Sequence, residues 1–208
     1  MSSKEYFDRV ASQWDEMRRG FFSEALREKA FARAGIRGGE LAADIGAGTG
    51  FISEGLLRIG VRVIALDQSE AMLESMKKKF NDSTDIEFRA GEAEKLPIET
   101  GSVDCTFANM YLHHVERPMR AISEMARILK PGGRLVITDL DVHHFDFLLT
   151  EHCDRWPGFK RRDVRRWLKA AGLTEVVVEC AGENCCTASS GKSDHARIGI
   201  FICSGKKI

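Results

Sequence analysis

The residues best placed to do chemistry lie in one short run, Asp44-Ile-Gly46-Ala47-Gly48-Thr-Gly50, followed further on by a second carboxylate, Asp67. Glycines at 46, 48 and 50 let the backbone turn sharply and approach a ligand, and the helical pattern that follows, Phe51 to Ile59, offers it unpaired N–H groups. Spacing then decides the class of ligand. A dinucleotide fingerprint is G-x-G-x-x-G, whose third glycine lets helix and strand close around a pyrophosphate. Here the pattern is G-x-G-x-G, and Phe51 stands where that third glycine would fall. Asp44 would repel a pyrophosphate but suits a cationic amino acid moiety. Asp67 ends the next apolar run, about 20 residues past the loop, where a carboxylate can accept the hydroxyl protons of a ribose.

A second set of titratable groups comes later. Tyr111-Leu-His113-His114-Val follows a fourth apolar run, and a histidine there could take a proton from a bound molecule near physiological pH. A purely structural role for at least one of the pair stays open. His143, His144, His152 and Cys153 follow the fifth run, and Cys185, Cys186 and His195 precede the last. If the sixth strand is parallel to the first five and the last antiparallel, the 6 histidines gather with these thiols at one end of the sheet. Such donors suit a soft or borderline metal, or a thiol-reactive acceptor such as a metalloid. Adjacent His-His and Cys-Cys pairs do not follow structural zinc spacing, so no residue is assigned as a metal ligand.

These residues need elements to position them. Runs at Leu41–Ile45, Arg62–Leu66, Ile86–Ala90, Ser102–Asn109, Arg134–Thr138, Leu173–Cys180 and Arg197–Cys203 read as strands. Apolar spacing predicts helices over Phe51–Ile59, Ser69–Phe80, Met119–Leu129 and Arg161–Ala171, and two amphipathic helices, Glu5–Met17 and Phe21–Ala34, at the start. Ala181 to Ala196 reads as a loop. The alternation implies one doubly wound α/β domain with a seven-stranded, mostly parallel sheet and an antiparallel last strand. Ligands bind such sheets beyond the carboxyl ends of the strands where strand order reverses, here between the first and fourth, so Asn109 and Met110 should border the site.

Composition excludes other classes. With 31 basic and 31 acidic residues among 208, the formal charge of +0 gives no global attraction to nucleic acid or an anionic membrane. No run approaches the roughly 18 apolar residues of a membrane span, and Met1-Ser-Ser-Lys-Glu-Tyr lacks the apolar core of a signal peptide, so a cytoplasmic location with reduced thiols is expected.

The glycine run resembles motif I of the class I S-adenosylmethionine-dependent methyltransferases, of the ubiquinone/menaquinone-methylase-like type. Asp67, Gly91-Glu92-Ala93 and Ala126-Arg-Ile-Leu-Lys-Pro-Gly-Gly-Arg-Leu carry the resemblance on in the expected order, from Leu41 to Asp139. It implies a Rossmann-like fold and S-adenosylmethionine as cofactor, with S-adenosylhomocysteine as product. Asp44 with Gly46, Ala47, Gly48 and Gly50 would hold the methionine part, and Asp67 with Gln68 the ribose. Glu92 with Ala93 would meet the adenine, although the family usually has Gly-Asp-Ala there. Tyr6 and Trp14 fall where the family has a helical lid, giving residues 1–34 as lid, 35–140 as cofactor-binding core and 141–208 as substrate-side helices and a final strand pair. Substrate contacts would then come from Tyr6, Trp14, His143, His152, Cys153, Cys185 and Cys186, and a general base from His113 or His114. Asn109-Met-Tyr-Leu-His is unlike the Asn-Pro-Pro-Tyr pattern of nucleic-acid amino methylases, so a small-molecule acceptor is expected. A noncatalytic cofactor-binding regulator and a nicotinamide-dependent oxidoreductase are the alternatives, and nothing in the sequence sets the oligomeric state.

Overall fold

Alternating small and β-branched runs build the centre of the molecule. The computed structural model describes residues 2–189, 191 and 194–208. Strands β1 (Leu41–Ile45), β2 (Arg62–Asp67), β3 (Ile86–Ala90), β4 (Val103–Asn109), β5 (Leu129–Leu140), β6 (Leu173–Ala188) and β7 (His195–Lys207) form a 7-stranded sheet in the order β3-β2-β1-β4-β5-β7-β6. β1 to β5 pair in parallel, and β7 runs antiparallel to both β5 and β6. The seven strands and the antiparallel last strand are those expected from the sequence.

Residues alternate between two buried layers, as a sheet covered on both faces requires. Ala43, Ile45 and Phe201 face the layer filled by helices α6 (Pro118–Ile128) and α8 (Arg161–Ala170). Ala42, Val63 and Ile200 face the layer filled by α3 (Glu24–Ala34) and α4 (Phe51–Arg58). α5 (Glu70–Lys79) covers the β2–β3 end, capped by the Ser69 hydroxyl, which accepts the Met72 N–H. Fully buried side chains such as Leu56 and Ile122 stabilise this arrangement by roughly 1.5–3 kcal/mol each.

Two expectations need correction. The first helix, expected over Glu5–Met17, is split into α1 (Ser3–Val10) and α2 (Trp14–Met17), because the chain bends at Ala11–Gln13 to carry Trp14 onto the glycine loop. The expected loop Ala181–Ala196 is mostly strand, since β6 runs on to Ala188 and β7 begins at His195. The register slips between Cys180 and Asn184, where Gly182 adopts φ 76°, and such a bulge bends the hairpin while keeping its pairing. Among the described residues no helix is long and apolar enough to cross a membrane.

Candidate functional site

Beyond the carboxyl ends of β1 and β4, the point where strand order reverses, lies a hollow lined by Asp44, the glycine loop and Asp67. The turn after β1 is held from below, because the N–H groups of Gly46 and Ala47 both donate to the Leu66 carbonyl. Gly46, Gly48 and Gly50 all take positive φ, at 69°, 55° and 91°. At Gly46 a side chain is also sterically impossible, since an added Cβ would lie 2.2 Å from the Tyr111 ring. The Gly48 N–H donates to Asp67 Oδ2 at 2.8 Å and the Ser69 N–H to Oδ1 at 2.9 Å, fixing the β2 carboxylate at the edge of the hollow. Asp44 Oδ2 accepts from both the N–H and the hydroxyl of Ser53, so the last polar residue of β1 caps the helix that follows the loop.

Both carboxylates are buried and lifted by it. Desolvation raises Asp44 to about 7 against the two Ser53 hydrogen bonds, and it raises Asp67 against the N–H groups of Ser69 and Gly48. A cationic group entering the hollow would offset that desolvation. No lysine or arginine among the described residues lines it, a donor set that suits an ammonium, a sulfonium and a ribose and would repel a pyrophosphate. The residues present therefore fit S-adenosylmethionine.

Gln68, Asn109 and Met110 also border this hollow, as expected. Asn109 Oδ1 accepts the Thr138 hydroxyl, and Met110 sits at φ 51°, an uncommon conformation outside glycine that aims the chain away from β4. Glu92 and Ala93 are not brought there. Ala93 is fully buried with its main chain bonded to the Tyr111 hydroxyl, and Glu92 borders a neighbouring hollow that shares Gln68, Tyr111 and His114 with the first. The sequence pointed to the Gly91 segment but gave no sign that Tyr111 would take its backbone.

The N-terminal helices cover the hollow. The indole of Trp14 reaches Gly48, where an added Cβ would stand 3.4 Å from Nε1. Asp15 accepts the Thr49 hydroxyl at 2.8 Å, and Asp8 accepts the Ser69 hydroxyl at 2.6 Å. The covering segment is thus tied to both polar ends of the glycine-loop region.

A second hollow adjoins the first, and Phe7, Trp14, Phe22, Met110 and His114 face both. Its far wall carries Tyr6, Phe21, Leu140, Leu148 and Cys185. Burial raises the Tyr6 phenol to about 12 and the Cys185 thiol to about 12, so both face the chamber as neutral groups. Its polar corner is made by His113, His114, His152 and Asp154. Burial alone would keep His113 neutral, but Asp139, 2.7 Å from Nδ1, and Asp154 overcome that and lift it to about 9. Burial and the neighbouring His113 push His114 well below its ordinary value.

The expected gathering of histidines and thiols is only partly realised. His113, His114, His152 and Cys185 border the chamber, whereas His144, Cys186 and His195 are exposed. His143 is buried and turned to its own turn, accepting the Phe145 N–H at 3.2 Å. Cys153 lies beside the chamber at φ 58° and shapes the turn that presents Asp154. Asp139 and Asp154 are the site residues that sequence reasoning missed. Asp139 was visible as a polar residue ending β5, whereas Asp154 reaches His113 only because the Arg155 and Trp156 N–H groups donate to the His113 carbonyl.

Comparison with known proteins agrees with this geometry. The family described as "Methyltransferase domain" matches residues 43–137. The demethylmenaquinone methyltransferase of Clavibacter sepedonicus is 35% identical over 166 residues, covering 66% of this chain and 67% of that protein. Two further matches are shorter: the chain spans 40% of the demethylmenaquinone methyltransferase of Paenarthrobacter aurescens and 31% of an uncharacterized 37.1 kDa transposon protein of Streptomyces fradiae. Among solved structures, phosphoethanolamine N-methyltransferase 2 of Haemonchus contortus superimposes with a TM-score of 0.82 at 16% identity, over 100% of this chain and 60% of that one. A methyltransferase solved in complex with the Trm112 activator of Haloferax volcanii superimposes with a TM-score of 0.77 at 21% identity, over 96% of each chain. With its acidic, glycine-cradled hollow at the strand-order reversal and these relatives, the chain belongs to the class I S-adenosylmethionine-dependent methyltransferases.

Proposed function

We propose that this protein transfers the methyl group of S-adenosylmethionine to a small, largely apolar acceptor held in the second hollow. The observation that carries the reading is the lining of the chamber: aromatic and aliphatic side chains with one polar corner, adjoining the cofactor hollow across Met110 and His114. The bound cofactor supplies an already activated methyl, so the protein's part is to align the acceptor for in-line displacement and to exclude water. In this reading Asp44 and the glycine loop hold the methionine end, Asp67 and Gln68 the ribose, and residues 1–34 close over both hollows. A base is needed only for an acceptor that carries a proton, and His114, neutral and facing both hollows, is the better placed of the two sequence candidates. His113, held protonated between two carboxylates, is not.

Apolar walls with one polar corner favour a quinol or phenol ring, in keeping with the demethylmenaquinone that gives the Clavibacter relative its name. The test is methyl transfer from labelled S-adenosylmethionine to a panel of quinols, phenols and thiols, run beside transfer RNA and a protein mixture. Label in a quinol or phenol is the expected result. Label confined to nucleic acid or protein would overturn the small-acceptor reading.

A further inference from the structure

Among the described residues, the one compact set of metal-type donor atoms is His113, His114 and Asp154, whose ligand atoms all lie within 4.8 Å of one another. His113 Nε2 and His114 Nδ1 each stand 3.8 Å from Asp154 Oδ1. An internal ion pair would account for His113 and Asp154, but two features go unexplained by it. His114 is 7% exposed, yet its Nδ1 has no hydrogen-bond partner although it faces the carboxylate. A buried polar atom without a protein partner is uncommon in folded proteins and needs an explanation, which a bound ion supplies. The second feature is Asp139, whose Oδ1 lies 2.7 Å from His113 Nδ1 and whose oxygens also accept the N–H groups of His113 and Leu140. The ring is thereby fixed with Nε2 toward Asp154, as outer carboxylates fix the histidines that bind metals.

We propose that His113 Nε2, His114 Nδ1 and Asp154 Oδ1 bind a divalent first-row transition ion, zinc in particular, at the polar corner of the acceptor chamber. Two imidazole nitrogens and one carboxylate select such ions over magnesium or calcium, which prefer all-oxygen sites. Donors around zinc lie about 2.0–2.2 Å from the ion, so the two 3.8 Å separations need to close by a few tenths of an ångström, and the two histidine nitrogens, within 4.8 Å of each other, must draw together around the ion as well. Uptake displaces the proton on His113 Nε2 to solvent. Three protein ligands leave a position open, and because all three residues line the chamber, that position is available to an acceptor oxygen. This last role rests on the methyl-transfer reading; the metal site itself does not. With the ion bound, His114 serves as a ligand and not as a base.

The experiment uses the full chain, stripped with a chelator and titrated calorimetrically with zinc chloride, then with S-adenosylhomocysteine in a separate run. One zinc ion per chain is expected, with affinity lowered at least a hundredfold by Asp154→Asn and about 10–100-fold by Asp139→Asn, which loosens the carboxylate that orients the His113 ring. Asp154→Asn should keep its S-adenosylhomocysteine affinity within twofold, and His195→Ala, at an exposed histidine, should bind zinc normally. Equal zinc affinity in the unaltered chain and Asp154→Asn overturns the proposal, as does the absence of stoichiometric binding. Cobalt chloride keeps the test independent of how any variant folds: the unaltered protein should develop visible absorption that one equivalent of zinc removes, and a purely aqueous cobalt spectrum overturns the site. Loss of S-adenosylhomocysteine binding by the unaltered chain would count against the methyl-transfer reading alone.

Discussion

The cofactor hollow takes both its carboxylates and its glycine loop from one stretch, residues 44 to 69, while the adjoining chamber collects side chains from the N-terminal helices, from residues 110–114, from the 140–154 segment and from the β6 hairpin. In the first, glycines at positive φ and a carboxylate bonded to backbone N–H groups leave little room for variation. In the second, most of the surface is side chain, although the turns at Met110 and Cys153 still set where His113, His114 and Asp154 stand. Chemistry common to a family is built from backbone, and chemistry particular to one member from side chains on connecting segments.

Substitutions can break that contrast. The largest effect is expected at Gly46: a Cβ 2.2 Å from the Tyr111 ring, on a backbone at φ 69°, should cost about 2–4 kcal/mol in chemical denaturation and abolish measurable S-adenosylhomocysteine binding. Gly46→Ala combined with Tyr111→Ala should recover part of the stability, and a strictly additive double-mutant cycle would show that the clash is not the cause. Next in size, Asp67→Ala removes the acceptor of the Gly48 and Ser69 N–H groups and the proposed ribose contact. Calorimetry should register a loss of about 30–150-fold in S-adenosylhomocysteine affinity, and an unchanged affinity would remove the ribose assignment.

A pH series sharpens the comparison at Asp44. Its carboxyl titrates at about 7 in the folded chain, against an ordinary value of 3.8, so below pH 7 the free protein holds a proton that an incoming ammonium must displace. Affinity for S-adenosylhomocysteine should fall by up to about tenfold per pH unit below 7 and level off above it. Asp44→Asn should flatten the profile, and an equally steep profile in that variant assigns the proton elsewhere. Because the folded state binds this proton more tightly than the unfolded chain does, Asp44 also makes the free protein less stable as pH rises from about 4 through 7.

The smallest expected effects separate the two hollows. Trp14 faces both and Phe21 only the second, so Trp14→Ala should weaken S-adenosylhomocysteine binding about tenfold while Phe21→Ala leaves it within twofold. Equal losses would merge the hollows into one site.

The same division governs what the sequence made legible. The strand runs, the glycine loop, Asp44 and Asp67 could be read because each rests on local spacing. The β6 hairpin was taken for a loop because Gly182, Asn184 and adjacent cysteines mask a pairing that the bulge preserves. The break between α1 and α2 carries no glycine or proline, and its cause, seating Trp14 on Gly48, lies far along the chain. His113 and His114 were visible as residues, but Asp154 meets them through hydrogen bonds between segments some forty residues apart, which no periodicity announces.

The strand order has a consequence for how the molecule comes into being on the ribosome. Among the described residues β6 pairs only with β7, and β7 is translated after it, so β6 emerges with no neighbour in the sheet and must wait. The five parallel strands that shape the cofactor hollow can register with one another before then. Cys185 and Thr187, which wall the acceptor chamber, take their places only when β7 slides between β5 and β6. In the nascent chain, the glycine-loop hollow can thus be drafted first, and the adjoining chamber is completed last.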